Sequence, residues 1–179
     1  IIMKLSDLAI FKEISEVSFN EIKNSSILYK FKIGQPMSFK NVIPSQVHII
    51  LEGEARLLST ENNQKVTIAK LGVGSLVGLA SLIRTEGCEE VTASTEIKTI
   101  TIPDKSIIDI YKKEISFRAF CNNNLFPADI LSIVEKLLEK SNRSDISLRA
   151  AFNAFAKNSR ILNITNDSKI KRDSPVIPY

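Results

Sequence analysis

The sequence lacks tryptophan and contains one histidine and two cysteines among its 179 residues. The single histidine, His48, excludes a metal site built on several imidazole ligands. Cys88 and Cys121 lie far apart, without the paired spacing of a disulfide framework or a zinc site. We therefore expect free thiols, a reducing cytosol and no bound metal.

Long apolar runs are also missing. No stretch approaches the ~18 apolar residues that a membrane-spanning helix needs. Residues 1–11 are too polar and too short for a secretory signal. The sequence is 44% hydrophobic and 25% charged, which is the composition of a globular domain. A chain of this length can bury its own core without disulfides.

The net charge of +4 is spread unevenly along the chain. Residues 126–179 hold nine lysines and arginines against six acidic residues, whereas residues 1–125 hold 15 against 14. The excess ends in "DSKIKRDSPVIPY", which is typical of a solvated linker. One predicted helix lies after Lys140, and no second helix follows a glycine turn, so a recognition helix is missing. We expect no nucleic-acid binding by this chain.

The spacing of the apolar residues changes twice along the chain, from a helical period to a strand period and back. Residues 6–24 have a helical period, with Ser6 and Ser18 as candidate N-caps. From Ser26 to about Asp104, seven or eight short strands alternate with turns, which favours a β-sandwich or a barrel of the jelly-roll type. The helical period returns in residues 103–124, 127–141 and 144–159.

A glycine-rich turn, "LGVGSLVGLASLI" at residues 71–83, precedes a short apolar run. A tight turn into a short helix is a common way to present backbone N–H groups to a phosphate. The turn lacks the lysine of a nucleotide-binding P-loop. The loop that follows is acidic, with Glu86, Glu89 and Glu90. Carboxylates repel phosphate, so the segment has the shape of an anion site without its charges.

Catalytic arrangements are weak in this sequence. Cys88 next to Glu89 and Glu90 could form a ligand set, but a loop thiol beside acids is more often inert. Glu52 and Glu54 flank a turn glycine, and a solvated hairpin explains them better than acid–base catalysis. We therefore predict a protein that is not an enzyme.

Three stretches resemble a known family when they are taken in order. They are "LAIFKEISEVSFNEIKNSS", "VHIILEGEARLL" and "IAKLGVGSLVGLASLI". Together they resemble the cyclic nucleotide-binding domain, the sensor module of catabolite-activator-type regulators and of protein kinase A regulatory subunits. The resemblance spans residues 5–140. It implies a mainly β fold with flanking α-helices: a β-roll (a double-stranded β-helix or jelly roll) between N- and C-terminal helices.

The resemblance also implies a division of the chain. Residues 1–140 are expected to form the cyclic nucleotide-binding-like domain. Residues 141–179 are expected to form a C-terminal helix and a linker that leads to a further domain. The helix around Ile130–Leu138 dimerises the regulators that the chain resembles, so its stripe of Ile130, Ile133 and Leu137 predicts a homodimer.

The family's binding segment corresponds to residues 78–90, called the cassette below. In the family, a short helix offers N–H groups to the cyclic phosphate, a glutamate binds the ribose hydroxyl and an arginine pairs with the phosphate. Here Leu79 takes the place of the glutamate, the arginine position falls near Gly87 or Cys88, and Arg84 comes too early. The candidate residues of this degenerate site are Gly78, Leu79, Ala80, Ser81, Cys88, Glu89 and Glu90. The resemblance makes cAMP or cGMP the expected ligand, and these changes disfavour it.

The sequence predicts a regulatory domain, and it leaves open two kinds of protein to which this domain could belong. The run "VGLASLIRTEGCEEVTAST" resembles domains that precede peptidase-containing bacterial ABC exporters, which implies a cytoplasmic location at the inner membrane and the downstream domains as partners. The alternative is the sensor half of a transcription regulator that binds cAMP or cGMP. Both remain open at the level of the sequence.

Overall fold

The computed structural model describes residues 4–158. The chain opens with two turns of 3-10 helix, Leu5–Asp7 and Ala9–Phe11, before helix α1, Glu16–Ser25. The helical period expected over residues 6–24 thus corresponds to short 3-10 turns before residue 12 and to an α-helix only from Glu16. The extended Ser15 is the true N-cap, because its Oγ accepts a hydrogen bond from the Ser18 backbone N at 3.2 Å. Ser6 and Ser18 cap no helix: Ser6 lies inside a 3-10 turn, and Ser18 lies in the first turn of α1.

Eight strands follow, as expected, in two antiparallel sheets. The strands are β1 (Ile27–Phe31), β2 (Pro36–Ser38), β3 (Gln46–Glu52), β4 (Ala55–Glu61), β5 (Gln64–Leu71), β6 (Leu76–Val77), β7 (Val91–Ala93) and β8 (Ile97–Pro103). The first sheet has the order β1-β8-β3-β6 and the second has the order β2-β7-β4-β5. One short helix, α2 (Leu79–Arg84), interrupts the strands. The predicted fold class, a β-roll between flanking helices, is confirmed.

Four helices follow the roll: α3 (Asp104–Lys113), α4 (Ile115–Asn123), α5 (Pro127–Ser141) and α6 (Leu148–Asn158). The helix expected over residues 103–124 is split, because Glu114 is extended and accepts hydrogen bonds from the hydroxyls of Ser15 and Ser18. None of the helices within residues 4–158 is long and apolar enough to cross a membrane. The linker expected after residue 158 lies outside the described residues.

The apolar side chains form two clusters on opposite faces of the first sheet. On β3, Val47 and Ile49 point to the helices and Ile50 points into the roll, as the two-residue period of a strand requires. The helix-side core includes Ile22, Val47, Ile49, Leu79, Ile102, Ile107, Ile110 and Phe117. The roll core includes Ile50, Leu57, Ile68, Val77, Val91, Ile97, Leu131, Val134 and Phe152. The roll core therefore contains residues of α5 and α6 as well as strand residues.

Helix α5 packs on its own roll, with Ile130 buried in the roll core. Leu137 remains 39% exposed and Ile133 is half-buried. Part of the stripe that predicted a homodimer is thus covered within the chain, and the dimer stays a prediction. Helix α6 also contacts the roll, because the Arg149 Nε donates to the Thr67 carbonyl on β5 at 2.7 Å. The expected boundary at residue 140 likewise stays a prediction.

One glycine fixes the contact between the cassette and the loop that joins β2 to β3. The Asn41 backbone N donates to the Gly87 carbonyl at 2.8 Å. A Cβ added to Gly87 would lie 2.1 Å from the backbone N of Val42, far inside any allowed contact. Since the obstructing atom belongs to the backbone, no side-chain rotation can relieve the clash. The position therefore admits only glycine without a shift of the loop.

We expect the substitution Gly87→Ala to lower the free energy of unfolding by roughly 1–3 kcal/mol, as overpacking does elsewhere. Urea unfolding followed by circular dichroism measures the change. Gly72→Ala is the matched control, because a Cβ at Gly72 meets no atom within 4 Å and its φ lies outside the left-handed region. Equal stability of the two variants would contradict the close contact at Gly87.

Candidate functional site

The cassette begins at Gly78, which ends β6 and precedes α2 with a φ of 94°. A Cβ at this position would approach the Gln46 carbonyl oxygen to 2.9 Å. The positive φ and this close approach both require glycine. Leu79 and Ala80 follow, each 1% exposed in the helix-side core. At the place that the resemblance assigns to the ribose-binding glutamate, the side chain therefore packs into an apolar core.

The Glu89 side chain folds back under the first turn of α2. Its Oε2 accepts hydrogen bonds from the Ser81 backbone N at 3.2 Å and from the Ser81 Oγ at 2.9 Å. The Gly78 backbone lies near this carboxyl group and lowers its pKa. Glu89 is only 4% exposed. A carboxyl group of the chain itself thus occupies the backbone donors that a cassette of this shape would offer to an anion.

The surroundings change the proton affinity of this carboxyl group. Burial raises the pKa of Glu89, and the hydrogen bonds from Ser81 and the nearby Gly78 backbone lower it by less. The nearby charge of Asp129 adds to the increase. Glu89 Oε2 can accept the Ser81 hydrogen bonds whether or not the carboxyl group carries a proton. The contact therefore does not need the ionised form.

Cys88 joins the same cluster through Ser81. Its backbone N donates to the Ser81 Oγ at 3.1 Å, and its Sγ lies 3.5 Å from that oxygen. Burial raises the pKa of the Cys88 thiol, and it raises the pKa of Cys121 to about 12. Both cysteines are free. A thiol with a raised pKa is a poor nucleophile and a poor metal ligand, which agrees with the interpretation of Cys88 as an unreactive thiol.

Glu90 points away from the cluster. Its Oε2 lies 2.6 Å from the Nζ of Lys65 on β5, in a pair at the surface of the second sheet. The two adjacent acidic residues therefore have different roles. Glu89 enters the cassette, and Glu90 helps to attach the following strand to β5.

The only cation of the cassette, Arg84, is committed to helix α5. Its Nε and Nη2 donate to the two carboxylate oxygens of Asp129, each at 3.0 Å. Its Nη1 donates to the Cys121 carbonyl at 3.3 Å, and its guanidinium lies 5.9 Å from the centre of the Phe126 ring. The hydrogen bonds that Arg84 donates to Asp129 raise the pKa of Arg84. A paired guanidinium of this kind is not free to bind a phosphate.

Helices α5 and α6 cover the inner face of the second sheet. On β4, Leu57, Ser59 and Glu61 lie on one face. The Ser59 Oγ donates to Glu135 of α5 at 2.6 Å, and the Glu61 Oε1 accepts from the Leu148 backbone N of α6 at 2.7 Å. The roll is thus closed by the chain's own helices.

The structure brings together four of the seven candidate residues: Gly78, Ser81, Cys88 and Glu89. Leu79 and Ala80 belong to the core, and Glu90 belongs to the second sheet. Sequence reasoning missed the pair of Arg84 and Asp129. Pro127 and Asp129 together signal only a helix start, and nothing in the sequence connects Asp129 to a residue 45 positions away.

Comparison with known proteins supports the architecture. Residues 29–114 match the family model of the cyclic nucleotide-binding domain. No curated protein sequence matches at a significant level. A cyclic nucleotide-binding-like protein from Brucella abortus has a TM-score of 0.52 and 19% identity, over 60% of this chain and 94% of that one. The catabolite activator protein of Thermus thermophilus has a TM-score of 0.52 and 15% identity, over 75% of this chain and 60% of that one.

A third similar structure is the regulatory subunit of a cAMP-independent protein kinase A from Trypanosoma brucei. It was solved as a variant with three substitutions, one of which introduces an arginine, bound to cAMP. Its TM-score is 0.51 at 15% identity, over 65% of this chain and 47% of that one. This chain spans less than two thirds of the activator and of the kinase subunit, and at these identities the likeness concerns the fold. Residues 29–114 thus match the cyclic nucleotide-binding domain, a family of regulatory binding domains, and the similar structures share its fold.

Proposed function

We propose that this domain is a non-catalytic regulatory module that fills its own anion site and does not bind cAMP or cGMP in the usual way. The observation that carries the proposal is the pair of hydrogen bonds from Ser81 to the buried Glu89 carboxyl group. A cyclic phosphate would have to displace that group before it could reach the same donors. In its ionised form, Glu89 would also repel the phosphate.

The other anchors of a cyclic nucleotide are missing as well. Leu79 is buried in the helix-side core and has no acceptor for a ribose hydroxyl. Of the two positions expected for the phosphate-binding arginine, Gly87 has no room for a side chain, so Cys88 is the one that could carry it. The loss of a charge-assisted contact costs roughly 1.5–3 kcal/mol. The ribose hydroxyl left against leucine costs roughly 1–3 kcal/mol more. Each ~1.4 kcal/mol is tenfold in affinity, so the two losses together take a micromolar site to about the millimolar range.

The regulatory signal in this proposal is the position of helices α5 and α6 on the roll. Arg84 and Asp129 join α5 to the cassette, and Ser59 and Glu135 join it to β4. A neighbouring domain that binds these helices in competition with the roll would respond to whether they are docked. The kinase subunit from Trypanosoma brucei, described as belonging to a cAMP-independent kinase, has a similar fold in a regulatory protein.

The proposed context is an attached bacterial ABC exporter at the cytoplasmic face of the inner membrane. It rests on the similarity of residues 77–95 to exporter-linked domains. The gene sequence downstream of the codon for Tyr179 tests it. A peptidase followed by membrane-spanning and ATP-binding segments agrees with the exporter, and a winged helix-turn-helix would favour the transcription regulator instead.

We expect calorimetry with cAMP and with cGMP to give a dissociation constant of about 1 mM or weaker, because the anchors are absent and the donors are occupied. A value below about 10 µM would overturn the proposal.

A gain-of-function variant provides the complementary test. The double substitution Cys88→Arg and Glu89→Ala supplies the phosphate cation and empties the donors of Ser81, and it leaves the buried Leu79 in place. We expect it to bind cAMP at least about tenfold more tightly than the parent chain. The control carries Cys88→Gln and Glu89→Ala, which opens the site without adding the cation. If the control binds cAMP as tightly as the double variant, the missing arginine is not the reason for weak binding.

The pH dependence of stability tests the environment of Glu89. Its pKa in the folded state is raised above the ordinary value of 4.5, so the folded state holds more protons than the unfolded state between the two values. The contribution of this group to stability is fully present below 4.5 and is lost as the pH rises through the folded-state pKa.

The variant Glu89→Gln keeps an oxygen acceptor for Ser81 and has no charge to lose. We expect the difference in unfolding free energy between this variant and the parent chain to shift in favour of the variant as the pH rises above about 4.5. Urea unfolding at several pH values measures it. Glu89→Ala should lose the same pH dependence with a constant penalty of about 1–3 kcal/mol, because the Ser81 N–H is left unpaired. A difference that does not change with pH would contradict the buried environment.

Hydrogen exchange tests the attachment of α5 to the cassette. We expect Arg84→Gln to speed amide exchange in residues 127–158, because both hydrogen bonds to Asp129 are lost, and to leave the exchange of β3 and β8 unchanged. Lys98→Gln is the control, since it removes an exposed ion pair with Glu52 that is worth little. Equal exchange profiles of the two variants would show that the Arg84 pair does not hold the helix.

A further inference from the structure

Strand β1 forms one edge of the first sheet and pairs only with β8. Three consecutive apolar side chains of this strand are exposed: Ile27 by 55%, Leu28 by 77% and Tyr29 by 42%. An edge strand leaves every second N–H and C=O group without a strand partner on its outer side. Exposed apolar residues on such an edge are unusual, because natural sheets normally protect it.

A cavity of about 370 Å³ adjoins this edge. Its apolar wall includes Leu5, Phe19, Leu28 and Ile100, and Lys4 and Lys23 also line it. The volume lies at the small end of the range for ligand pockets, which suits an apolar side chain better than a whole cofactor. The cavity contains no residue of the cassette.

The charge around β1 is positive. Lys4 and Lys23 line the cavity, Lys30 lies on the strand and Lys32 follows it. None of these four lysines forms an ion pair within residues 4–158. Asp7 is the acidic residue near this end, and its carboxylate accepts a hydrogen bond from the Lys4 backbone N at 2.8 Å. The surface therefore combines free strand edge, apolar cavity and unpaired cations.

We propose that the β1 edge binds an extended peptide segment in which an apolar residue is flanked by acidic residues two positions away on either side. The segment adds to the first sheet as a further strand, with backbone hydrogen bonds to β1. Side chains two positions apart on a strand point to the same face, so the apolar residue can enter the cavity while the two carboxylates meet the lysines on that face. A second copy of this chain fits less well, because pairing through β1 would bring the two sets of lysines together.

This proposal does not depend on the function proposed for the cassette, since the two surfaces share no residue. A chain that bound cAMP could still bind a peptide at β1, and a failure at β1 would leave the role of Glu89 untouched.

The probe is a fluorescein-labelled peptide, acetyl-Thr-Asp-Thr-Ile-Val-Asp-Thr-amide, whose two acids share a face with the isoleucine, titrated with the whole chain and followed by fluorescence anisotropy. We expect a dissociation constant of about 10–100 µM, which is typical of a short peptide without an optimised sequence. Backbone amide shifts of the isotope-labelled protein should change in residues 27–31 and at Lys23. Leu28→Glu should weaken binding by about tenfold or more, and Lys23→Glu by about fivefold, since each places an acid against the acidic peptide.

Both substituted side chains are exposed, so the variants should fold normally. Val73→Glu is the matched control, because Val73 is 54% exposed in a turn outside the cavity and should leave the affinity unchanged. A peptide with lysines in place of the acids should bind at least about tenfold more weakly. So should a peptide with proline at two central positions, because it cannot donate the strand hydrogen bonds.

Three results would overturn the proposal. One is equal binding of the acidic and basic peptides, and another is a set of amide shifts that excludes β1. The third is a dimer in light scattering that Leu28→Glu dissociates, which would make a second copy of the chain the occupant of this edge.

Discussion

The hydrogen bonds between Ser81 and the Glu89 carboxyl group are the contact on which the cassette depends. They satisfy a backbone donor in the first turn of a helix of only six residues, which has few hydrogen bonds of its own. They also pull residues 85–90 against α2, and the following strand, β7, then enters the second sheet in register with β4. Without this carboxyl group, a buried N–H would be left for a ligand or for water. In this structure the polypeptide itself supplies the acceptor for that N–H.

The second constraint lies at the opposite end of the same short helix. Arg84 joins α2 to α5 through two parallel hydrogen bonds to Asp129, and α5 in turn carries Leu131 and Val134 into the roll core. The cassette is thus fixed at its start by an acid from the following loop and at its end by an acid from a distant helix. Both contacts are made by side chains of the chain itself, and together they attach the short helix to the following loop and to the docked helix α5.

The strands were predictable because their signals are local: alternation and turn residues are contained within a few positions, and the change of period at Ser26 marks the start of the sheets. The N-terminal helix was misplaced because Ser15, whose hydroxyl also meets Glu114, decides where it starts, and that partner lies 99 residues away. In the cassette, the sequence indicated that acids surround the anion position. It could not say that Glu89 turns inward and Glu90 outward, because adjacent residues of an extended segment face opposite sides and only the register of β7 selects between them. The pair of Arg84 and Asp129 required the tertiary fold.

A carboxyl group that belongs to the chain differs from a diffusible ligand in one respect. Its effective concentration at the cassette is set by the covalent distance between residues 81 and 89, and a short tether of this kind maintains it at a millimolar level or above. A soluble second messenger at micromolar concentration would compete with the Glu89 carboxyl group, whose local concentration is constant because it is covalently attached. On the proposed function, the occupancy of the cassette therefore follows the position of the loop and not the concentration of a diffusible ligand. A substitution in the loop, or a partner that binds against it, would then be the event that empties the site.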